Sequence, residues 1–290
     1  MDEAAFIAAL RALPLHSAAR DLADDAAVLE IGSETLILTH DVLAEGVHVL
    51  QGQDPADIAW KLVAVNLSDL AAKGAEPLGV LLGHTLGDGD ERFLEGLREV
   101  LETYQVPLLG GDTVKSESPR QWGCTAIGRA THSPAPSRTG AKQGDALFVT
   151  GPLGAALAGF EALRDGTGAD SAAYRRPTPL VDEGRALAPL VTAMMDISDG
   201  LLLDARRMAE ASGIGLDIDT AAVPLALPED RREEALRWGD DYQLLFAADP
   251  RATLPVPAFR IGTAIAASEH PLLLDGAPPA STDRLGYLHR

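Results

Sequence analysis

Aspartates at the ends of predicted elements carry the chemistry of this sequence. Asp24 and Asp25 sit in a turn, Asp41 follows a strand pattern, Asp69 lies on a helical face, Asp112 follows a glycine pair, and Asp196 and Asp199 share a loop. Strand ends in alternating folds are where ligands bind. Such a set supplies only oxygen donors, which suits a hard cation such as Mg²⁺; zinc would want histidine or cysteine. Gly110-Gly111-Asp112 lets backbone N–H groups approach a phosphate while the carboxylate holds a cation, although a tight turn explains the same residues equally well. Taken singly, Asp24-Asp25 reads as a plain turn, Asp41 as a helix cap and Asp69 as a solvated helix position. No Gly-Lys-Ser or Gly-Lys-Thr phosphate loop, no G-x-G-x-x-G, no D-F-G and no G-x-S-x-G elbow is present.

The charge balance bears on partners. Net charge is -19, with 43 acidic against 24 basic residues. That opposes a nucleic-acid backbone, and a polyanion such as ATP can bind only if metal cations stand between it and the carboxylates. Solubility alone explains acidity in many proteins. The single cysteine, Cys124, allows no intrachain disulfide and fits a reducing cytoplasm. No basic signal-peptide start and no apolar run long enough for a membrane span is found, so a soluble, unprocessed chain is expected.

The elements that position these residues follow from periodicity and punctuation. A helix is predicted over Ala5 to Leu13, strands over Ala27 to Ile31 and Thr35 to Thr39, the latter ending on His40-Asp41. Asp54-Pro55 reads as an N-cap with proline at the first helical position, opening a helix to about Lys73 stopped by Gly74, with Asn66, Asp69 and Lys73 on one face. Then come a strand at Leu78 to Leu82, a helix at Asp90 to Tyr104, a strand at Val106 to Leu109 emptying into Gly110-Gly111-Asp112, and a strand at Gly123 to Arg129. The proline-rich stretch from Thr131 to Gly144 is the candidate linker. Beyond it are a strand at Ala146 to Thr150, a helix from about Leu153, the loop Asp196 to Gly200 and a helix at Leu201 to Ala211. Strands at Leu216 to Ile218, Tyr242 to Ala247 and Phe259 to Ile265 complete the pattern. With 290 residues and 46% hydrophobic content, two α/β domains are expected, 1–134 and 135–290.

At this point the sequence resembles the thiamine-monophosphate kinase family. The blocks are Ala-Asp-Asp-Ala-Ala-Val (23–28), Thr-His-Asp-Val-Leu-Ala-Glu-Gly-Val-His (39–48), Val-Asn-Leu-Ser-Asp-Leu-Ala-Ala-Lys-Gly-Ala-Glu-Pro (65–77) and Leu-Gly-Gly-Asp-Thr (109–113). Ser-Arg-Thr-Gly-Ala-Lys-Gln-Gly-Asp (137–145), Arg-Pro-Thr-Pro (176–179), Met-Asp-Ile-Ser-Asp-Gly-Leu (195–201) and Gly-Asp-Asp-Tyr-Gln-Leu-Leu-Phe (239–246) follow in the family's order. The wider superfamily, with aminoimidazole ribonucleotide synthetase, selenophosphate synthetase and a hydrogenase maturation factor, shares mainly the Asp-rich ATP chemistry.

The resemblance implies the aminoimidazole ribonucleotide synthetase-like α/β (α+β) fold, with a mixed N-terminal sheet and a C-terminal α/β domain. It also implies a homodimer formed through the N-terminal domains, and ATP-dependent conversion of thiamine monophosphate to thiamine diphosphate by direct in-line transfer with several Mg²⁺ ions. By the same resemblance Asp25, Asp41, Asp69, Asp112, Asp196 and Asp199 would hold the metals, with Thr39 and His40 completing the shells. Gly111, Asp112, Arg138 and Ser198 would contact ATP. His48 and Asp240 would contact the thiamine phosphate, and Tyr287, in the terminal Gly-Tyr-Leu-His, would pack on the substrate ring.

Departures from the family pattern are Ala23 for glycine, His40 for threonine, Asp240 for glutamate, and a shorter second half. Asp240 is one methylene shorter than its family counterpart, so its contact to substrate would run through water or be lost. Two rivals stand beside this reading: another ATP-using enzyme of the superfamily, for which Cys124 stands in the wrong place, and a non-catalytic nucleotide- or thiamine-binding regulator. Asp204 matches no metal position, so Asp204→Asn is expected to be nearly silent.

Overall fold

The computed structural model describes residues 3–117, 119–280 and 282–288; His289, the last residue of the terminal Gly-Tyr-Leu-His, lies outside them. The first half contains α1 (Glu3–Leu10), β1 (Ala27–Ile31), β2 (Glu34–Ala44), α2 (Pro55–Ala72), β3 (Ala75–Leu86), α3 (Asp90–Thr103), β4 (Leu108–Lys115) and β5 (Gln121–Ala130). Its strands form one mixed sheet in the order β1-β2-β5-β3-β4, antiparallel except for the parallel β3–β4 pair.

The second half contains β6 (Ala146–Val149), α4 (Ala155–Arg164), α5 (Ala172–Arg175), α6 (Val181–Leu187), β7 (Val191–Asp196), α7 (Leu201–Ser212), β8 (Gly215–Ile218), α8 (Arg232–Arg237), β9 (Leu244–Ala248), β10 (Phe259–Ile265) and β11 (Leu272–Leu274). Its sheet runs β11-β8-β10-β6-β9-β7, with only β11–β8 parallel.

Helix α2 organises the whole. The Asp54 carboxylate accepts the N–H of Ala56 at 3.0 Å and Pro55 opens the helix, as the sequence predicts. Ile58, Leu62, Leu67 and Leu70 pack beneath the first sheet with Ile37, Phe93 and Trp122. Further along, Ala71 and Ala72 join Phe148, Leu187, Met194 and Phe246 of the second half in a separate apolar cluster. Helix α6 approaches α2 so closely that a Cβ on Gly184 would lie 2.0 Å from the Ala71 carbonyl oxygen. α2 is therefore buried on nearly every side and spans both cores.

Several expectations change. β2 does not end at His40-Asp41 but continues to Ala44, because each of these residues keeps a partner on β5, His40 opposite Thr125 and Asp41 opposite Cys124. Likewise Gly110-Gly111-Asp112 lies inside β4 rather than in a turn after it. A Cβ on Gly111 would meet the Leu82 carbonyl at 2.0 Å, so glycine here serves a close approach between strands. β7 was not predicted: its residues lack alternation because most of the strand is buried.

Candidate active site

Strand alternation places Thr39 and Asp41 on one face of β2 and His40 on the other. Thr39 is buried, and its hydroxyl donates to the carboxylate of Asp69 on α2. His40 is exposed, with Nδ1 2.8 Å from the Thr125 hydroxyl. Asn66, one turn before Asp69, accepts the Asp41 N–H at 3.2 Å and so ties α2 to β2.

Asp196, the last residue of β7, reaches the same place from the second sheet and accepts the Ser68 hydroxyl at 2.5 Å. Carboxylate oxygens of Asp25, Asp69 and Asp196 all lie within 4.8 Å of one another. Burial and the mutual repulsion of these carboxylates push Asp69 well above the usual carboxylate range, Asp196 up to about 8 and Asp41 up to about 6. Asp24 and Asp25 go the other way. Burial would raise both, but Lys73 with Arg20 outweighs it at Asp24, and Arg138 with Lys73 outweighs it at Asp25. Lys73, itself fully buried, stands 2.6 Å from Asp25 and also pairs with Asp24.

Arg20, Lys73 and Arg138 thus serve Asp24 and Asp25, and among the described residues Asp41, Asp69 and Asp196 are left without a matching positive charge. An all-oxygen cluster with uncompensated buried charge fits a hard divalent cation.

The cluster opens into a cavity of about 920 Å³. Asp41, Asp69, Asp196, Ser198, Asp199, His48, Asp240 and Tyr287 all line it. Asp25, Thr39 and Arg138 are not among the lining residues: Thr39 reaches the wall through Asp69, Asp25 lies in the carboxylate cluster, and Arg138 pairs with Asp25. His40, Gly111 and Asp112 are not among the lining residues; Gly111 and Asp112 sit on the exposed β4, where Asp112 accepts the N–H of Thr113.

The same wall carries aromatic side chains, Phe160, Tyr174, Trp238, Tyr242 and Tyr287. His48 Nδ1 accepts the Ala44 N–H at 3.0 Å, which fixes the ring as a neutral tautomer protonated on Nε2. Asp240 holds a left-handed backbone, φ 66°, and its carboxylate accepts the Tyr242 hydroxyl at 2.9 Å and Lys61 Nζ at 2.8 Å. Tyr287 is seated by its N–H, which donates to the Asp199 carbonyl at 2.9 Å.

Sequence reasoning placed no role on Ser68, Lys61 or Asp204. All are polar residues buried at positions that the apolar spacing of their helices assigns to the core, and that mismatch was the available signal. Asp204 is not a bystander: fully buried, it accepts the N–H groups of Ser198 at 3.2 Å and Asp199 at 3.0 Å and pairs with Arg207. The expectation of a silent Asp204→Asn is therefore withdrawn.

Comparison with known proteins places this geometry. Residues 23–130 match the AIR synthase related protein N-terminal domain, and residues 142–266 its C-terminal domain. The thiamine-monophosphate kinase of Escherichia coli K12 is 37% identical over 300 residues, covering 92% of this chain and 91% of the relative. That of Caulobacter vibrioides is 36% identical over 93% of this chain and 85% of its own. The solved structure of AaThiL complexed with AMPPCP and TMP superposes with a TM-score of 0.87 at 30% identity, covering 100% of this chain and 97% of the other. Because these matches run through both sheets and the cavity between them, the chain belongs to the thiamine-monophosphate kinase family of AIR synthase related proteins.

Proposed function

We propose that the protein transfers the γ-phosphoryl group of ATP to thiamine monophosphate, giving thiamine diphosphate and ADP. The observation that carries this reading is one cavity with two chemistries: a carboxylate cluster short of positive charge, and a set of aromatic side chains with an acid and a histidine. The first suits cation-bridged phosphates, the second an aromatic heterocycle carrying a phosphate.

Asp25, Asp41, Asp69, Asp196 and Asp199 would hold Mg²⁺, with Thr39 orienting Asp69 and Ser68 orienting Asp196. Asp112 and the backbone at position 40 belong to the same reading by resemblance. Bound Mg²⁺ would screen the repulsion between two anionic reactants and polarise the phosphates. The chain's own groups position the reactants. Arg138 and Ser198 would meet ATP phosphates, with Gly111 and Asp112 contributing from β4. The His48 Nε2 proton, the Asp240 carboxylate and the Tyr287 ring would hold the acceptor. An acceptor phosphate is already ionised at neutral pH, so no side chain need take its proton.

The same reading includes a homodimer and a division near residues 134/135. β4 is exposed along its whole length, with Leu108, Leu109 and Val114 each about half exposed, an edge that a second copy would cover. A cytoplasmic location accords with a single buried cysteine, Cys124. No helix among the described residues is long and apolar enough to cross a membrane.

Incubation with Mg-ATP and thiamine monophosphate, scoring thiamine diphosphate, tests the function. Turnover dependent on both is expected. Binding of both ligands without product would overturn it in favour of a regulator.

A further inference from the structure

Lys61 is fully buried on α2, a setting in which an ammonium group needs every proton matched. Its Nζ lies 2.8 Å from Asp240 Oδ2 and 3.2 Å from the His48 carbonyl oxygen, and 4.1 Å from the centroid of the Tyr174 ring. The Tyr174 hydroxyl donates to the same His48 carbonyl at 3.1 Å. Lys61 does not line the cavity, whereas His48, Tyr174 and Asp240 do. With its protons committed behind the wall, it is not placed to bind a substrate phosphate.

We propose that Lys61 is a positioning residue for the acceptor substrate: it fixes the Asp240 carboxylate against the His48 loop, so that the two sides of the acceptor end, contributed by different halves of the chain, keep one spacing. This rests on the reading above that His48 and Asp240 hold thiamine monophosphate. The two oxygens of Asp240 are held separately, Oδ1 by the Tyr242 hydroxyl at 2.9 Å from its own loop and Oδ2 by Lys61 at 2.8 Å, so Lys61 is the group that ties the carboxylate to the other half of the chain. Lys61 supplies an opposite charge from a helix buried on nearly every side. Lys61 itself touches none of Asp25, Arg138 and Ser198 on the ATP side; the one link is the Asp240 N–H, which donates to the Ser198 carbonyl at 2.9 Å and does not depend on the carboxylate that Lys61 holds. Loss of Lys61 therefore acts on one substrate and spares the other.

Steady-state kinetics of the full chain with Mg-ATP and thiamine monophosphate test this, comparing wild type with Lys61→Met, Asp240→Asn and the double variant. Lys61→Met is expected to raise KM for thiamine monophosphate about tenfold while KM for ATP stays within about twofold. The double variant is expected to be no worse than the poorer single, since both remove the same pair. A parallel rise in both KM values, an unchanged acceptor KM, or additive penalties would overturn the proposal.

Where Lys61→Met does not fold, Lys61→Gln combined with Asp240→Asn leaves no orphan charge. Its acceptor KM should equal that of Asp240→Asn alone, and a further rise would count against the proposal. A wild type without thiamine-monophosphate-dependent turnover would defeat the functional reading first, and this inference with it.

Discussion

The Asp204 carboxylate accepts the Asp199 N–H across 3.0 Å, so a helix residue that faces no ligand holds the loop that presents Asp199 and Ser198 to the cavity. Asp204→Asn puts an amide N–H₂ beside Arg207 or the loop N–H groups, where a carboxylate now satisfies both. It is expected to cost about 2 kcal/mol, seen as a fall of roughly 4–8 °C in melting temperature, together with reduced turnover. An unchanged melting temperature would show that the loop is held by something else.

Asp69→Asn should lower turnover by about two orders of magnitude or more. In the same protein without metal, the melting temperature near neutral pH should rise, because a carboxylate repelled by Asp41, Asp196 and Asp25 has been neutralised at constant volume. A variant that is slow and also less stable would point to misfolding rather than to a cation site.

The pH dependence of the metal-free protein has a defined sign. Asp41, Asp69 and Asp196, and outside the cluster Asp204 and Asp241, both pushed up to about 7 by burial, bind protons more readily when folded than when unfolded. Across the interval from the ordinary value of 3.8 to the raised ones, about 6 for Asp41 and about 8 for Asp196, the native state holds more protons and stability drains away as pH rises. Asp24 and Asp25, held low, change stability only below their ordinary 3.8 and so are constant through this window. The melting temperature should fall by several degrees between about pH 5 and about pH 8, and Mg²⁺ should flatten the slope by binding the ionised cluster. A flat profile without metal would mean that these carboxylates are already compensated.

His40→Thr should stay active with Mg²⁺ and keep its Mg²⁺-to-Mn²⁺ activity ratio, because the imidazole faces Thr125 and solvent rather than the carboxylate cluster. A changed ratio, or a changed acid limb near the histidine range, would place the ring at the metal after all.

What could be read from sequence follows from the range of the interactions involved. α2 was legible because Asp54, Pro55 and Gly74 are local punctuation, and β10 because Phe259–Ile265 is a self-contained strand pattern. The far ends of β2 and β4 were not. Polar or glycine residues there stay extended only through partners on β5 and β3 that no local window contains. The aspartates were legible as a set through their order. Their counter-ions were less so, since Lys73 and Arg138 meet Asp25 only after residues 48 and 113 positions away have been folded back onto it.

Helix α2 carries Lys61, Asn66, Ser68 and Asp69, with Lys73 as its C-cap, and their partners lie in β2, β7, the turn before β1 and the loop before β9. The relative bearing of these groups is set by helical phase alone. Deleting or inserting one residue between positions 61 and 69 would turn one end against the other by about 100° and shift it by about 1.5 Å. No loop lies within α2 to absorb the change. Length variation in relatives that keep the activity should therefore gather outside this helix, leaving the count of residues between Lys61 and Asp69 fixed while the side chains between them vary.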